Sequence, residues 1–327
     1  MSCEITLGVA CSREHREMGN TWKKEKEFTH CALCGADDYT TLYPALDIKI
    51  SLQWFPIVRC NSCGLVYTNP RPPEKNIKAY YGSKYYSYQT FPANKESTEM
   101  ANSGKKVLDV GCGSGNWLYH QRLLGHDVYG VEIDSGAVTA GRRMELSIFQ
   151  GRLTEAGFES EFFDYIRMNH VLEHVYSPLE TLREVRRILK NDGTLFVEVH
   201  NFDSVESFLL RATWRQLEVP RHLWHFSPHT LEKLLREAGL RITQKKMKPF
   251  PDSFKAIGTY LRCQYTTVRL IFQRLKKEKK RTPSFLLFFA SVSVLGCYLI
   301  KYWMARLSGR VRPDNESLIQ YECMPDT

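Results

Sequence analysis

The sequence predicts an α/β protein whose main body is a parallel sheet with helices on both faces, preceded by a small cysteine-marked module. Three observations carry this. Strand and helix signals alternate from Gly104 onward, a glycine-rich turn joins a buried strand to a helix, and two C-x-x-C-G pairs lie upstream of both. Alternation of that kind is the pattern of β–α–β crossovers.

The 327 residues are 43% apolar and 25% charged, enough for one core of roughly 200 residues and something smaller beside it. Aromatic content of 12%, with 14 Pro and 20 Gly, excludes collagenous and wholly disordered classes. Ten cysteines are too sparse for a disulfide framework and point to a reducing, cytoplasmic setting. Ile5 to Cys11 is a short apolar run behind the acidic Glu4 and makes a poor signal peptide. The net charge of +9 is local: residues 241–312 hold 17 Lys and Arg against Asp252 and Glu278, so the remainder is net acidic. A basic segment of this kind meets phosphate, of nucleic acid or of anionic lipid.

In chain order, residues 1–27 read as a flexible polar tail and 28–73 as the cysteine module, closed by Asn69-Pro70-Arg71-Pro72-Pro73. A tyrosine-rich stretch and linker fill 74–104. The sheet body spans 105–251. Lys106 to Val110 is its buried first strand, Asn116 to Leu124 a helix, Asp127 to Val131 a second strand and Phe163 to Met168 another. Ser177-Pro178-Leu179-Glu180 predicts a capping box, with Leu182, Val185 and Leu189 as the apolar stripe behind it. Asn191-Asp192-Gly193 predicts a turn into the strand Thr194 to Val199, and Ser227-Pro228 starts a helix that stops at Gly239. Residues 252–312 read as an insertion of two helices, roughly 254–280, basic and amphipathic, and 284–308, which contains the uncharged run Ser284 to Ile300. Those 17 residues reach about 25 Å as a helix, short of the roughly 30 Å hydrocarbon core. Residues 313–327 carry a last strand, Ser317 to Cys323.

The glycines of Gly111-Cys112-Gly113-Ser114-Gly115 follow a buried strand and let the backbone approach a ligand at a helix start. The spacing is neither the dinucleotide fingerprint nor a P-loop. Glu132 ends the second strand 21 residues beyond Gly111, where a carboxylate can accept from two ribose hydroxyls or simply end a strand.

With Phe163-Asp164-Tyr165-Ile166, Asn169-His170-Val171-Leu172-Glu173-His174-Val175 and Ile188-Leu189-Lys190-Asn191-Asp192-Gly193, these residues resemble the class I S-adenosylmethionine-dependent methyltransferases. The resemblance implies a seven-stranded Rossmann-like sheet with its last strand antiparallel, Ser317 to Cys323 pairing with Arg241 to Met247. It places Asp109, Gly111, Cys112, Gly113 and Gly115 against the cofactor, Glu132 on the ribose, Ile133 beside the adenine, and Asn169 and His170 at the sulfonium end. Glu173 and His174 are then expected to begin a helix beside the site.

Cys31, Cys34, Cys60 and Cys63 form two C-x-x-C-G knuckles separated by 25 residues. The set suits a closed, structural Zn2+ site with an extended hairpin between its halves. With Tyr67-Thr68-Asn69-Pro70-Arg71-Pro72, this module resembles the N-terminal zinc-ribbon module of bacterial methyltransferases of sugar and glycan biosynthesis. The cluster Arg221-His222-Leu223-Trp224-His225-Phe226-Ser227-Pro228 resembles the His-Leu-x-Tyr-Phe-Ser segment of zinc-containing sugar C-methyltransferases. By that match His222 is the base, at the rim after the fifth strand; His225 binds substrate or is a helix-entry histidine. Arg221 and Trp224-His225 depart from that family's residues.

The expected activity is methyl transfer from S-adenosylmethionine to a small-molecule, glycan or lipid-linked acceptor. The protein is expected in the cytoplasm, peripheral or monotopic on the inner face of the cell membrane, with the 252–312 hairpin and its Lys and Arg residues on anionic headgroups. An RNA methyltransferase gripping phosphate with the zinc ribbon and basic arm is a second reading. Base-amino enzymes usually carry Asn/Asp-Pro-Pro-aromatic where Asn169-His170-Val171-Leu172 stands here. A non-catalytic cofactor-binding scaffold is a third.

Overall fold

The computed structural model describes residues 26–81, 104–248 and 317–326. The expected helical insertion at 252–312 lies outside these residues.

Two sheets organise the chain. The small one is antiparallel, built from β1 (Tyr39–Leu46), β2 (Trp54–Cys60) and β3 (Val66–Thr68). The large one has seven strands: β4 (Lys106–Val110), β5 (Asp127–Glu132), β6 (Ser147–Gln150), β7 (Phe163–Asn169), β8 (Leu189–His200), β10 (Leu240–Lys248) and β11 (Leu318–Pro325), in the order β10-β11-β8-β7-β4-β5-β6. β4 to β8 run parallel, and β11 lies antiparallel between β8 and β10. This is the mixed seven-stranded sheet expected from the sequence. The helices are α1 (Asn116–Leu123), α2 (Ser135–Arg143), α3 (Pro178–Ile188), α4 (Val205–Leu210) and α5 (Pro228–Glu237).

Local chemistry explains most boundaries. Ser227, in extended geometry before α5, accepts from the Thr230 N–H and Thr230 returns the bond, so a capping box forms there. The box expected at Ser177 does not form: at φ −124° and ψ 76° its hydroxyl caps nothing, and its carbonyl takes the Thr181 N–H and hydroxyl instead. Asn191-Asp192-Gly193 is not a turn but a bulge inside β8, the register passing from Phe163↔Leu189 to Tyr165↔Thr194. Gly193 permits it, since a Cβ there would stand 2.8 Å from Leu189 Cδ1 and 3.0 Å from two carbonyl oxygens. Glu173 and His174 do not begin a helix; they lie in the turn between β7 and α3. At the other end of the module, Glu27 pairs with Arg71 through both backbone groups and through its carboxylate, so the module begins one residue inside the expected tail.

The cysteine module is not a separate bead. Its fourth strand, β9 (Trp224–His225), comes from the segment before α5 and pairs with β3 as Val66↔His225 and Tyr67↔Trp224. Trp224 is buried with its ring 5.6 Å from Tyr67, and its indole N–H donates to the Val175 carbonyl. Leu33, Val58, Leu65 and Tyr67 therefore share one apolar core with Leu108, Ile166, Leu195 and Leu231. The segment 221–226, expected at a rim, is buried in this seam because its backbone completes the small sheet.

A buried ion pair locks the same seam. Arg221 donates to Asp47 at 3.3 Å, to the Tyr80 carbonyl at 2.8 Å and to Glu218 at 3.2 Å. Asp47 in turn accepts from the backbone N–H of Lys49 and Ser51, fixing the β1–β2 loop. Asp47→Ala removes one of the two carboxylates that face the buried Arg221 and leaves Glu218 alone against it, and a loss of about 1 to 3 kcal/mol in denaturant unfolding is expected. A loss under about 1 kcal/mol would show the pair to be ornamental.

Candidate active site

The site is assembled at the carboxyl ends of β4, β5, β7 and β8. β4 and β7 are neighbours from which the chain leaves in opposite directions across the sheet, the switch point where open α/β sheets hold ligands.

The loop after β4 is pinned by the N–H groups of Gly111 and Cys112, both donating to the Val131 carbonyl. Gly111 has φ +67° and no room for a side chain, since a Cβ would lie 2.6 Å from Val171 Cγ2. That close approach brings the loop against the turn after β7. The Cys112 thiol turns inward to pack with Leu118, Val138 and Ile148, and burial pushes its pKa up, so only its backbone borders the loop. Gly115, with φ +82°, is the left-handed N-cap of α1.

Glu132 faces this loop. One carboxylate oxygen accepts the Gly113 N–H and the other the Asp134 N–H, each at 2.9 Å. Burial pushes its pKa up, opposed by those two bonds. Beside it the Ile133 side chain is 64% exposed. A carboxylate with spare lone pairs next to an exposed apolar side chain fits a ribose followed by an aromatic base.

Asn169 and His170 end β7. With its amide turned to satisfy both neighbours, Asn169 donates to Glu198 at 2.8 Å and accepts from Arg167 at 3.0 Å. His170, at φ +54°, sits between Glu173 (Nδ1, 3.2 Å) and Glu198 (Nε2, 3.2 Å). Burial opposes its charge, but the two carboxylates raise its pKa to about 9. Donor atoms of His170, Glu173 and His200 lie within 4.8 Å of one another. A divalent cation could bridge them after His170 lost its proton; as an imidazolium, His170 offsets one of the two carboxylate charges itself.

From His170 a row of imidazoles leads to the seam. The His200 ring stacks on His170 at 4.4 Å, His222 lies 5.6 Å from His200, and His174 meets His222 edge-on at 4.6 Å. His222 is buried, with Nδ1 2.7 Å from the Gln216 carbonyl and Nε2 3.9 Å from Glu218. Burial drives its pKa far down, so it is neutral, and the carbonyl places the proton on Nδ1, leaving Nε2 to accept. His225 is not part of the row. It lies in β9 rather than at a helix entry, its Nε2 3.5 Å from the Thr68 hydroxyl and its ring 5.8 Å from Phe202.

The four cysteines converge in the small sheet. Sγ atoms of Cys31 and Cys63 are 3.4 Å apart, those of Cys34 and Cys60 3.5 Å, and all four lie within 4.8 Å. The knuckles share one backbone pattern, Gly35 N–H to the Cys31 carbonyl and Gly64 N–H to the Cys60 carbonyl. Burial opposes the Cys60 thiolate, but the Cys63 N–H and the Cys34 thiol bring its pKa down to about 7.

Arg167 escaped the sequence reading. A lone Arg in the apolar strand Phe163–Asn169, in register with the lone Asp of β4, was the available signal.

His170 generates a pH prediction. Its folded pKa of about 9 lies above the unfolded value of about 6.5, so its contribution is complete below about pH 6.5 and is lost as pH rises through 9. The melting temperature of the wild type should fall more steeply from pH 6.5 to 9.5 than that of His170→Gln. Parallel curves would contradict a His170 imidazolium held between Glu173 and Glu198.

Residues 87–245 match the Methyltransferase domain family. Ubiquinone biosynthesis O-methyltransferases are also similar: that of Glaesserella parasuis is 34% identical over 109 residues, covering 30% of this chain and 46% of the relative. That of Roseobacter denitrificans is 28% identical over 180 residues, covering 50% and 72%. A demethylmenaquinone methyltransferase of Staphylococcus saprophyticus is 32% identical over 101 residues, covering 28% and 43%. The chain thus spans less than half the length of two of these three relatives. Among solved structures, a Haloferax volcanii complex of the Trm112 methyltransferase activator with a methyltransferase gives a TM-score of 0.44 at 17% identity, covering 77% of this chain and 92% of that one. Over residues 87–245, just under half its length, the chain is thus similar to methyltransferase domains of the class I S-adenosylmethionine-dependent kind.

Proposed function

We propose that the chain is a methyltransferase that binds S-adenosylmethionine over the 111–115 loop and methylates a small-molecule, glycan or lipid-linked acceptor at a membrane surface. The observation that carries this is Glu132, held at the end of β5 by the Gly113 and Asp134 N–H groups with lone pairs to spare for two vicinal hydroxyls. When bound, the cofactor supplies a sulfonium-activated methyl group. Asp109, Gly111, Gly113 and Gly115 border its amino-acid end, Glu132 orients the ribose, Ile133 covers the adenine, and Asn169 and His170 close the sulfonium end.

The acceptor's proton needs a base with a free lone pair. His222 is the candidate, neutral and fixed by the Gln216 carbonyl, with Glu218 near enough to favour the imidazolium once formed. His225, turned toward Thr68, is favoured less. The relatives' names, ubiquinone and demethylmenaquinone, support a small apolar acceptor.

Among the described residues no helix is long and apolar enough to cross a membrane. The membrane reading is supported by chain geometry. Lys248 pairs with Leu318, and Leu318 with His200, so residues 249–316, with the uncharged Ser284 to Ile300, leave and return beside the imidazole row.

The four cysteines are proposed to hold structural Zn2+. Four soft donors at this spacing suit it, since Zn–S bonds of about 2.3 Å imply S–S edges of about 3.8 Å. Chelation should release about one zinc per chain and lower the melting temperature; a metal-free preparation with an unchanged melting temperature would remove the metal from the account.

The function is tested by methyl transfer from labelled S-adenosylmethionine in whole lysate, partitioned into organic, glycan and nucleic-acid fractions. Label in the organic or glycan fraction is expected, lost in Glu132→Ala. His222→Asn should cut transfer about 100-fold or more while S-adenosylhomocysteine still binds within a few-fold. Label confined to nucleic acid would overturn the acceptor class.

A further inference from the structure

Arg167 stands in β7 among Phe163, Tyr165, Ile166 and Met168. Its Nη1 donates to both oxygens of the buried Asp109, at 3.0 and 3.2 Å, and its Nη2 reaches the Asn169 amide oxygen at 3.0 Å. Trp117, in the first turn of α1, presents its ring centroid 5.0 Å from the guanidinium. The end of β4, the end of β7 and the start of α1 thus meet around this side chain at the switch point.

An ion pair between adjacent central strands is a poor device for stability, because an apolar pair of equal volume serves as well without desolvating two charges. What the pair adds is a fixed polarity, an anion on β4 beside a cation on β7. An α-amino acid carries an ammonium and a carboxylate on one carbon, the same two charges in the opposite sense. Arg167 is also placed to be reached: its side chain keeps 21% exposure against 2% for Asp109, and its contacts leave the Nε hydrogen and one Nη2 hydrogen for a further acceptor. The planar fork of Arg matches a carboxylate where the point charge of Lys does not.

We infer that Arg167 binds the α-carboxylate of the cofactor's methionyl group while Asp109 takes the ammonium, the two acting as one amino-acid clamp. This rests on the cofactor reading above. Asn169 holds the guanidinium in plane and Trp117 covers its face.

The test is calorimetric titration of the full chain with two probes. S-adenosylhomocysteine keeps the amino-acid end; 5′-methylthioadenosine keeps the nucleoside and thioether without it. Arg167→Gln should weaken S-adenosylhomocysteine by about 10- to 100-fold, the worth of charge-assisted hydrogen bonds, and leave 5′-methylthioadenosine within twofold. Should Arg167→Gln not fold, Arg167→Lys keeps the charge and should show a smaller loss confined to S-adenosylhomocysteine. Equal weakening of both probes would mean that Arg167 only supports the fold, and no change in either would remove it from the site. A wild type that binds neither probe would overturn the cofactor reading itself, and the clamp with it.

Discussion

The structure depends on one short stretch of backbone whose hydrogen bonds are shared between two bodies. Residues 221–225 run through a dry seam, where each peptide group must find a partner within the protein. Toward the large sheet, the N–H groups of Leu223 and Trp224 both reach the Glu173 carbonyl, and the Arg221 carbonyl faces His174 Nδ1. Toward the cysteine module, the Leu223 carbonyl accepts the Thr68 N–H and the His222 carbonyl accepts its hydroxyl. Neither body can shift without orphaning groups that belong to the other. The turn that carries His170, Glu173 and His174 is therefore braced from behind by the module that carries the cysteines.

The second principle is local charge balance. Arg221 is set against Asp47 and Glu218, Arg167 against Asp109, and the His170 imidazolium against Glu173 and Glu198. Each cation lies within hydrogen-bonding distance of its carboxylates, which offsets part of the cost of burying it. The neutral histidines of the row complete the pattern: burial disfavours positive charge on His200 and His222, and at His200 the neighbouring His170 imidazolium adds to it. The floor of the site is thus polar in detail, with two carboxylates to one cation at both Arg221 and His170.

Much of this was legible in the sequence, for identifiable reasons. Buried parallel strands announce themselves as Val- and Leu-rich runs, and Lys106 to Val110 is one; the glycine loop and Glu132 punctuate their ends. The pairing of Ser317 to Cys323 with Arg241 to Met247 followed from the family resemblance rather than from pattern, and both strands lie where that implies. What was not legible depends on distant partners. A two-residue strand such as β9 has no periodicity, and its burial is decided by β3, some 160 residues earlier. The Asn191-Asp192-Gly193 turn chemistry yielded to the neighbouring strand, which absorbed it as a bulge. Arg167 was hidden because a charge inside an apolar strand acquires meaning only when its register with Asp109 is known.

The position of β11 has a consequence for the order in which the molecule can be made. This strand is the last of the described elements and is wedged between β8 and β10, so neither of those strands has its neighbour on that side until residues 318–325 have left the ribosome. The small sheet waits as well, since β3 is synthesised long before the β9 that borders it. The edge of β3 therefore stands open while residues 69–223 are made and that of β8 while residues 201–317 are made, and edges of that kind invite pairing with other chains. Exposed Lys245 and Lys246 lie on β10, which remains the outer strand of the finished sheet, so the charge that discourages such pairing serves the folded protein as well as the nascent one.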